Sequence, residues 1–342
     1  MKTQCHNPYL PLCEHIPDGE PHVFEDRLYI FGSHDMEGGN EFCELDYVSW
    51  SAPVHDLSDW KYEGVIYRKD QDPYNKDALP LYAPDVVRGK DGRYYLYYCV
   101  KFQDSINVAV CDEPAGEYQF YGRVKYEDGR VMSDNQPYDP SVICTEEGIF
   151  LYFGFAPCMI NIPRYKGQDL KGGSVVKLKE DMLTVEEGPS VVIPSLAYGK
   201  GTSFEGNEYF EGPSIRKINE KYYLIYLSYT TFRLSDVGAQ REGERILASV
   251  ILENTGKREG AEVLQMYIGA EESAVWRPRY VLKDFRKICL APGEKRQVFL
   301  SCTLQDMAYY NEEKKAFVIE DIPYQVYVGT SSAATDLIKI KV

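Results

Sequence analysis

Ile16-Pro-Asp-Gly-Glu-Pro21 followed by Arg27-Leu-Tyr-Ile-Phe31 sets an acid, Asp18, in a Pro/Gly turn just ahead of an aromatic-rich strand. The same arrangement returns three times. Asp85 lies in Ala-Pro-Asp before Arg93-Tyr-Tyr-Leu-Tyr-Tyr98, Asp139 in Tyr-Asp-Pro-Ser before Ile149-Phe-Leu-Tyr-Phe153, and Glu211 in Phe-Glu-Gly-Pro-Ser before Lys221-Tyr-Tyr-Leu-Ile-Tyr226. From each acid to its matching aromatic (Tyr29, Tyr95, Phe150, Tyr222) the offsets are 11, 10, 11 and 11. A repeated sheet unit that sets a carboxylate at one point each time gathers those carboxylates around an axis.

The acidic turns are 67, 54 and 72 residues apart. Repeats of that size, made of several short strands, suit the blades of a β-propeller. Apolar runs are four to eight residues long, aromatic or β-branched, and bounded by Gly, Pro, Asn or Asp, which are the marks of strands. Lys90-Asp-Gly92, Glu146-Glu-Gly148 and Asn219-Glu220 supply hairpin turns. Val48-Ser-Trp-Ser-Ala-Pro53 and Asp56-Leu-Ser-Asp-Trp60 read as outer strands and corner of the first blade, with Trp50 and Trp60 as packing residues.

The repeat stops near Ser228. Arg233 to Arg245 is polar and reads as a linker. Beyond it, alternating runs separated by turn signals read as a β-sandwich. The expected architecture is all-β: an incomplete propeller over 1–232, a junction over 233–245 and a sandwich over 246–342.

A net charge of −15 argues against nucleic acid or an anionic membrane as partner, because either needs clustered Lys and Arg. The nine cysteines have no CxxC pair and an odd count, so they read as free thiols in a reducing compartment. Met1 to Leu12 has no apolar core of a signal peptide. A cytoplasmic location is the expectation.

Asn7-Pro-Tyr-Leu-Pro11, Pro17-Asp-Gly-Glu-Pro21, Tyr29-Ile-Phe-Gly-Ser-His-Asp35, Tyr82-Ala-Pro-Asp85, Tyr138-Asp-Pro-Ser-Val142 and Phe210-Glu-Gly-Pro-Ser214 together resemble glycoside hydrolase family 43. Its members are five-bladed propeller glycosidases acting on xylosides and arabinosides, and the resemblance covers about residues 7 to 230. Glu253-Asn-Thr-Gly256, Glu262-Val-Leu-Gln-Met-Tyr267, Arg277-Pro278, Leu282-Lys-Asp-Phe285, Leu290-Ala-Pro-Gly-Glu294 and Tyr324-Gln-Val-Tyr-Val-Gly329 resemble the fibronectin type III-like domain that ends many family 3 glycoside hydrolases. That domain is normally accessory. Only about three and a half of the five blades are represented. The resemblance also implies a central histidine from the last blades, often associated with calcium, and an active-site arginine. No histidine follows His55, so no cofactor is expected.

The resemblance implies Asp18 as general base, Glu211 as general acid, and Asp139 as the residue that orients and tunes the acid. An ionised Asp139 beside Glu211 would raise the pKa of the acid by opposing a second negative charge. Taken singly, each of the three also reads as an ordinary turn residue. Asp85 reads either as a pocket residue that binds a sugar hydroxyl or as a structural blade-start residue. Tyr82 reads as a sugar-stacking ring or as core, and His34 as a hydroxyl donor or a structural histidine. The expected reaction is inverting hydrolysis of xylosidic or arabinofuranosidic bonds in an oligosaccharide or polysaccharide fragment, lost if the open propeller cannot hold the acids. The alternative is a non-catalytic carbohydrate-binding module, or an association module forming a homo-oligomer through bare strand edges.

Overall fold

The structure, a computed structural model, describes residues 9–11, 14–157, 168–228, 230–312, 314–331 and 337–341. Asn7 and Pro8 of the first motif, and Cys5, Cys13 and Cys158, lie outside the described residues. The six described cysteines, at 43, 99, 111, 144, 289 and 302, are free thiols. The chain divides into two compact units, Met1–Tyr229 and Thr230–Val342.

In the first unit, β1 (Glu20–Phe24), β2 (Arg27–Phe31), β3 (Tyr47–Pro53) and β4 (Lys61–Tyr67) form one antiparallel four-stranded sheet in chain order. A second sheet holds β5 (Leu81–Arg88), β6 (Tyr94–Val100), β7 (Ile106–Cys111) and β8 (Gln119–Arg123). A third holds β9 (Ser141–Cys144), β10 (Ile149–Phe153), β11 (Gly172–Leu178) and β12 (Val185–Pro194). The fourth stops at two strands, β13 (Glu211–Ile218) and β14 (Lys221–Leu227). Three full blades and a half blade are present, as the sequence repeat implies.

The tyrosine-rich strands bury their rings between blades. Tyr47, Tyr67, Leu96 and Tyr98 pack with Phe31 and Leu81 between the first two sheets, and Tyr97, Val108, Leu151 and Phe153 pack between the next two. A buried phenol needs a partner for its hydroxyl. The Tyr67 and Tyr98 hydroxyls lie 2.9 Å apart, and Tyr98 donates to Asp72 at 2.7 Å. Trp50 packs on Tyr62, and Trp60 packs on Tyr9.

The second unit has two facing sheets. One orders β15 (Phe232–Glu242), β16 (Arg245–Asn254) and β19 (Lys295–Thr303). The other orders β18 (Val281–Leu290), β17 (Gly260–Gly269), β22 (Gln325–Gly329) and β23 (Leu337–Lys341), and β20 (Tyr309–Asn311) and β21 (Ala316–Val318) make a small hairpin. Val250, Leu252, Leu264, Met266, Val326 and Val328 are at most 1% exposed and form the core.

The linker expected over 233–245 is wrong. Residues 232–242 are the edge strand β15, paired with β16 from Phe232 opposite Asn254 to Glu242 opposite Arg245. Phe232, Leu234, Val237 and Ala239 pack on the sandwich core, while the other side chains stay wet. An edge strand with one solvated face and a charged outer row carries few apolar residues, which is why it passed for a linker.

Candidate active site

The first strands of the four sheets lie side by side, and polar side chains tie them together. Asp85 of β5 is 0% exposed. Its Oδ1 lies 2.5 Å from His22 Nε2 of β1, and its Oδ2 accepts from Val142 N at 2.7 Å and Ser141 Oγ at 3.1 Å, both on β9. Ser141 Oγ in turn accepts from Ile215 N of β13 at 3.0 Å. Ser214 Oγ donates to Glu20 Oε2 at 3.0 Å, and the Arg216 guanidinium pairs with the same carboxylate. Burial alone would raise the Asp85 pKa, but His22, Arg216 and the donors from β9 outweigh it and hold the group below its usual range. Glu20 is pushed up, first by burial and then by the Asp85 charge.

Asp85 is therefore a structural tie between blades and not a sugar-binding residue. The register explains the misplacement. Tyr29 faces His22, Phe150 faces Ile143 and Tyr95 faces Val87 across their hairpins. Asp18 and Asp139 stand four residues before those partners, whereas Asp85 stands two before Val87. The residue four before Val87 is Ala83. Asp18, Ala83 and Asp139 share one further property: all have left-handed backbones, with φ of 55°, 23° and 51°. The offset of 10 hides a two-residue displacement, because the hairpin between Val87 and Tyr95 is one residue longer than those of Asp18 and Asp139. Glu20, Asp85 and Ser141 occupy the next rung inward.

The outer rung opens into a cavity of about 610 Å³. Asp18, Asp139 and Glu211 all line it. Tyr82, Tyr138 and Phe155 form an aromatic wall, Phe42 and Phe102 stand at 78% and 61% exposure, and Pro17, Cys43, Ala83 and Lys101 complete the lining. Phe42, Cys43, Lys101, Phe102 and Phe155 carry no motif, so the sequence reading missed them. His34 is not among the lining residues. Its Nδ1 bonds Asp46 O at 2.9 Å and its Nε2 bonds Glu14 Oε1 at 2.8 Å, so the expected sugar contact is replaced by a structural one. Its neighbour Ser33 is the residue of that motif that meets the acids. The β1–β2 register, with Glu20 opposite Phe31, continues to set Asp18 opposite Ser33. Ser33 Oγ donates to Asp18 Oδ2 at 3.0 Å. Behind them Gly32 lacks room for a side chain, since a Cβ there would lie 2.7 Å from Pro17 O.

The carboxyls load one another electrostatically. Glu211 is raised to about 7, by burial first and then by the Asp18 charge. Asp139 is raised to about 8, by burial first, then by Glu211 and Asp18, although Gly212 N donates to its Oδ2 at 3.2 Å. Asp18 is also raised, by burial, with Ser33 pulling the other way. The charge that raises Glu211 is that of Asp18, where an ionised Asp139 was the expectation. Burial leads for both groups, and the charge of Asp18 acts on both. Two adjacent carboxyls hold a proton through neutrality and release it stepwise.

A calcium at the axis finds no suitable donor set among the described residues. Glu20, His22 and Asp85 offer ligand atoms all within 4.8 Å of one another. Calcium takes roughly six to eight oxygens, and this set supplies two carboxylates and an imidazole. The Arg216 guanidinium already pairs with Glu20 and lies 3.3 Å from His22 Nε2, so the chain's own cation serves that charge. The histidine of this cluster, His22, belongs to the first blade.

These features define a propeller with an acid-lined cavity. The sequence pattern of glycosyl hydrolases family 43 matches residues 21–243, and that of the fibronectin type III-like domain matches residues 262–332. The chain belongs to glycosyl hydrolases family 43. A xylosidase/arabinosidase of Thermoclostridium stercorarium is 51% identical over 240 residues, covering 68% of this chain and 49% of that protein. A xylosidase/arabinosidase of Bacteroides ovatus is 29% identical over 260 residues, 68% of this chain and 76% of that protein. A periplasmic beta-glucosidase of Salmonella typhimurium is 41% identical over 112 residues, 31% of this chain and 14% of that protein. The chain spans about half the length of the first of these relatives.

Proposed function

We propose that the first unit hydrolyses xylosidic or arabinofuranosidic bonds in plant polysaccharide fragments, by a single displacement with inversion. One observation carries this: Asp18, Asp139 and Glu211 line one aromatic-walled cavity, and the Asp139–Glu211 pair keeps a proton near neutral pH beside the Asp18 charge. Inverting hydrolysis needs a carboxylate to draw a proton from water and a carboxylic acid to protonate the leaving oxygen. Asp18 serves as the base. Glu211 serves as the acid, and Asp139, sharing its proton, keeps that acid charged with hydrogen. The rings of Tyr82, Tyr138 and Phe155 present apolar faces to sugar C–H bonds, and the carboxyls bind hydroxyls.

Release of nitrophenol from aryl β-xylosides and α-arabinofuranosides tests the reading. Turnover that disappears in both Asp18→Asn and Glu211→Gln supports it. Turnover that survives both changes refutes it.

A second reading, a non-catalytic carbohydrate-binding or association module, is favoured by the fourth sheet. It has two strands only, and Tyr222, Ile225 and Leu227 of β14 are 47%, 64% and 55% exposed. Sugar binding without any turnover in the same assay selects that reading.

A further inference from the structure

Ser33 is 0% exposed and bridges the first two blades behind the cavity acid Asp18. It donates to Asp18 Oδ2 at 3.0 Å and accepts from Ala83 N at 2.8 Å. The second bond fixes the first. With one lone pair of Oγ committed to the Ala83 N–H, the hydroxyl proton is directed away from the second blade and toward the acid. Ala83 sits at φ 23°, a conformation that costs a non-glycine residue energy, and that turn is what aims its N–H at Ser33. The turn also carries Tyr82, whose ring lines the cavity and whose carbonyl accepts from Tyr47 Oη at 2.8 Å.

We infer that Ser33 is a positioning residue for Asp18, holding its carboxylate in one rotamer with Oδ2 bound and Oδ1 left to meet the water, and linking that orientation to the turn bearing Tyr82. This rests on the proposed role of Asp18 as base. A serine hydroxyl suits the post. It is a neutral donor, so it steadies the carboxylate without quenching its basicity as a lysine or arginine would. The groups that face Asp18 are otherwise acids or weak acids: Asp35, Cys43, Tyr47, Asp139 and Glu211. Lys101, across the cavity, is drawn off by Glu41 at 2.5 Å. Among the described side chains, Ser33 is the donor recorded on the Asp18 carboxylate.

The test compares the full chain with Ser33→Ala and Ser33→Thr, the second keeping a hydroxyl. Selective 13C labelling of aspartate carboxyls, with the Asp18 signal identified by its loss in Asp18→Asn, reads the titration directly. Ser33→Ala is expected to move the Asp18 midpoint upward by about one pH unit, since a donor to the charged form is lost. The acidic limb of kcat/KM on nitrophenyl xyloside should move with it, with little change in KM, and Ser33→Thr should restore part of both. An unmoved Asp18 midpoint in a Ser33→Ala protein that melts like wild type overturns the inference. A shifted midpoint in a protein that turns over no glycoside upholds the positioning of Asp18 and refutes the hydrolase reading alone. If Ser33→Ala does not fold, Ser33→Cys, a weaker donor of similar size, carries the same test, and an unmoved midpoint there overturns the inference.

Discussion

Glu20 of β1 and Arg216 of β13 form an ion pair although 196 residues separate them in the chain. The bond joins the first blade to the half blade. With His22–Asp85, Asp85–Ser141 and Ser141–Ile215 it completes a polar circuit through all four leading strands. Among the described residues, three full blades and a half blade thus hold their inner strands together. The cavity acids Asp18, Asp139 and Glu211 stand one rung outside that circuit, so its integrity sets their spacing.

Arg216→Met should therefore destabilise the first unit by about 2–3 kcal/mol, because removing one partner leaves a half-buried Glu20 carboxylate unpaired. Urea unfolding of the whole chain checks this. The transition of the propeller should move to lower urea while that of the sandwich stays in place. A change in both transitions, or in neither, contradicts the circuit.

His34→Ala should behave as a structural change. Loss of its bonds to Glu14 and Asp46 lowers the melting temperature, while KM for aryl glycosides stays within about twofold of wild type, a difference of roughly 0.4 kcal/mol. A KM rise of tenfold or more would return His34 to the sugar.

Asp139 has a pH-dependent cost for stability. Its folded pKa is raised to about 8 against an ordinary value of 3.8. The folded state therefore binds more protons than the unfolded state between those values, and stability falls as pH rises through that window. Asp139→Asn removes the penalty. The variant should melt higher than wild type at pH 8 by roughly 2–4 °C or more, and the gap should close toward pH 4. Its activity should fall. A gap that widens as pH drops has the wrong sign for a proton-holding Asp139.

Glu211→Gln removes the acid and should lower kcat by about 10²–10⁴-fold on substrates whose leaving group needs a proton. With a dinitrophenyl leaving group, which departs unaided, the loss should be far smaller. In wild type the activity should decline as pH rises through about 7, where Glu211 gives up its proton. Equal losses on both substrates would place Glu211 outside the proton-transfer step.

The strands were readable because each hairpin announces itself: Arg27–Phe31 and Ile149–Phe153 are β2 and β10 to the residue. The convergence of Asp18 and Asp139 followed from a repeated offset, since both stand four residues before the partner of their aromatic; Glu211 keeps the offset but stands six before Lys217, the partner of Tyr222, across a β-bulge. Asp85 stands two residues, one rung, along its strand from that position, in a hairpin one residue longer, and the rung decides which neighbours a side chain meets. His22, Arg216 and Ser33 were hidden for a different reason. Their partners lie on other blades, 63, 196 and 50 positions away, and nothing local marks them. The upward shifts of Asp139 and Glu211 were out of reach as well, because burial ranks first for both and depth is a property of packing.

Proton NMR of the sugar released in the first moments of hydrolysis tests the central claim most directly. From a β-xyloside, α-xylose should appear first and mutarotate afterwards, as a water activated by Asp18 opposite the Glu211 acid requires. β-Xylose as the first product, or no product at all from any xyloside or arabinofuranoside, would contradict the account.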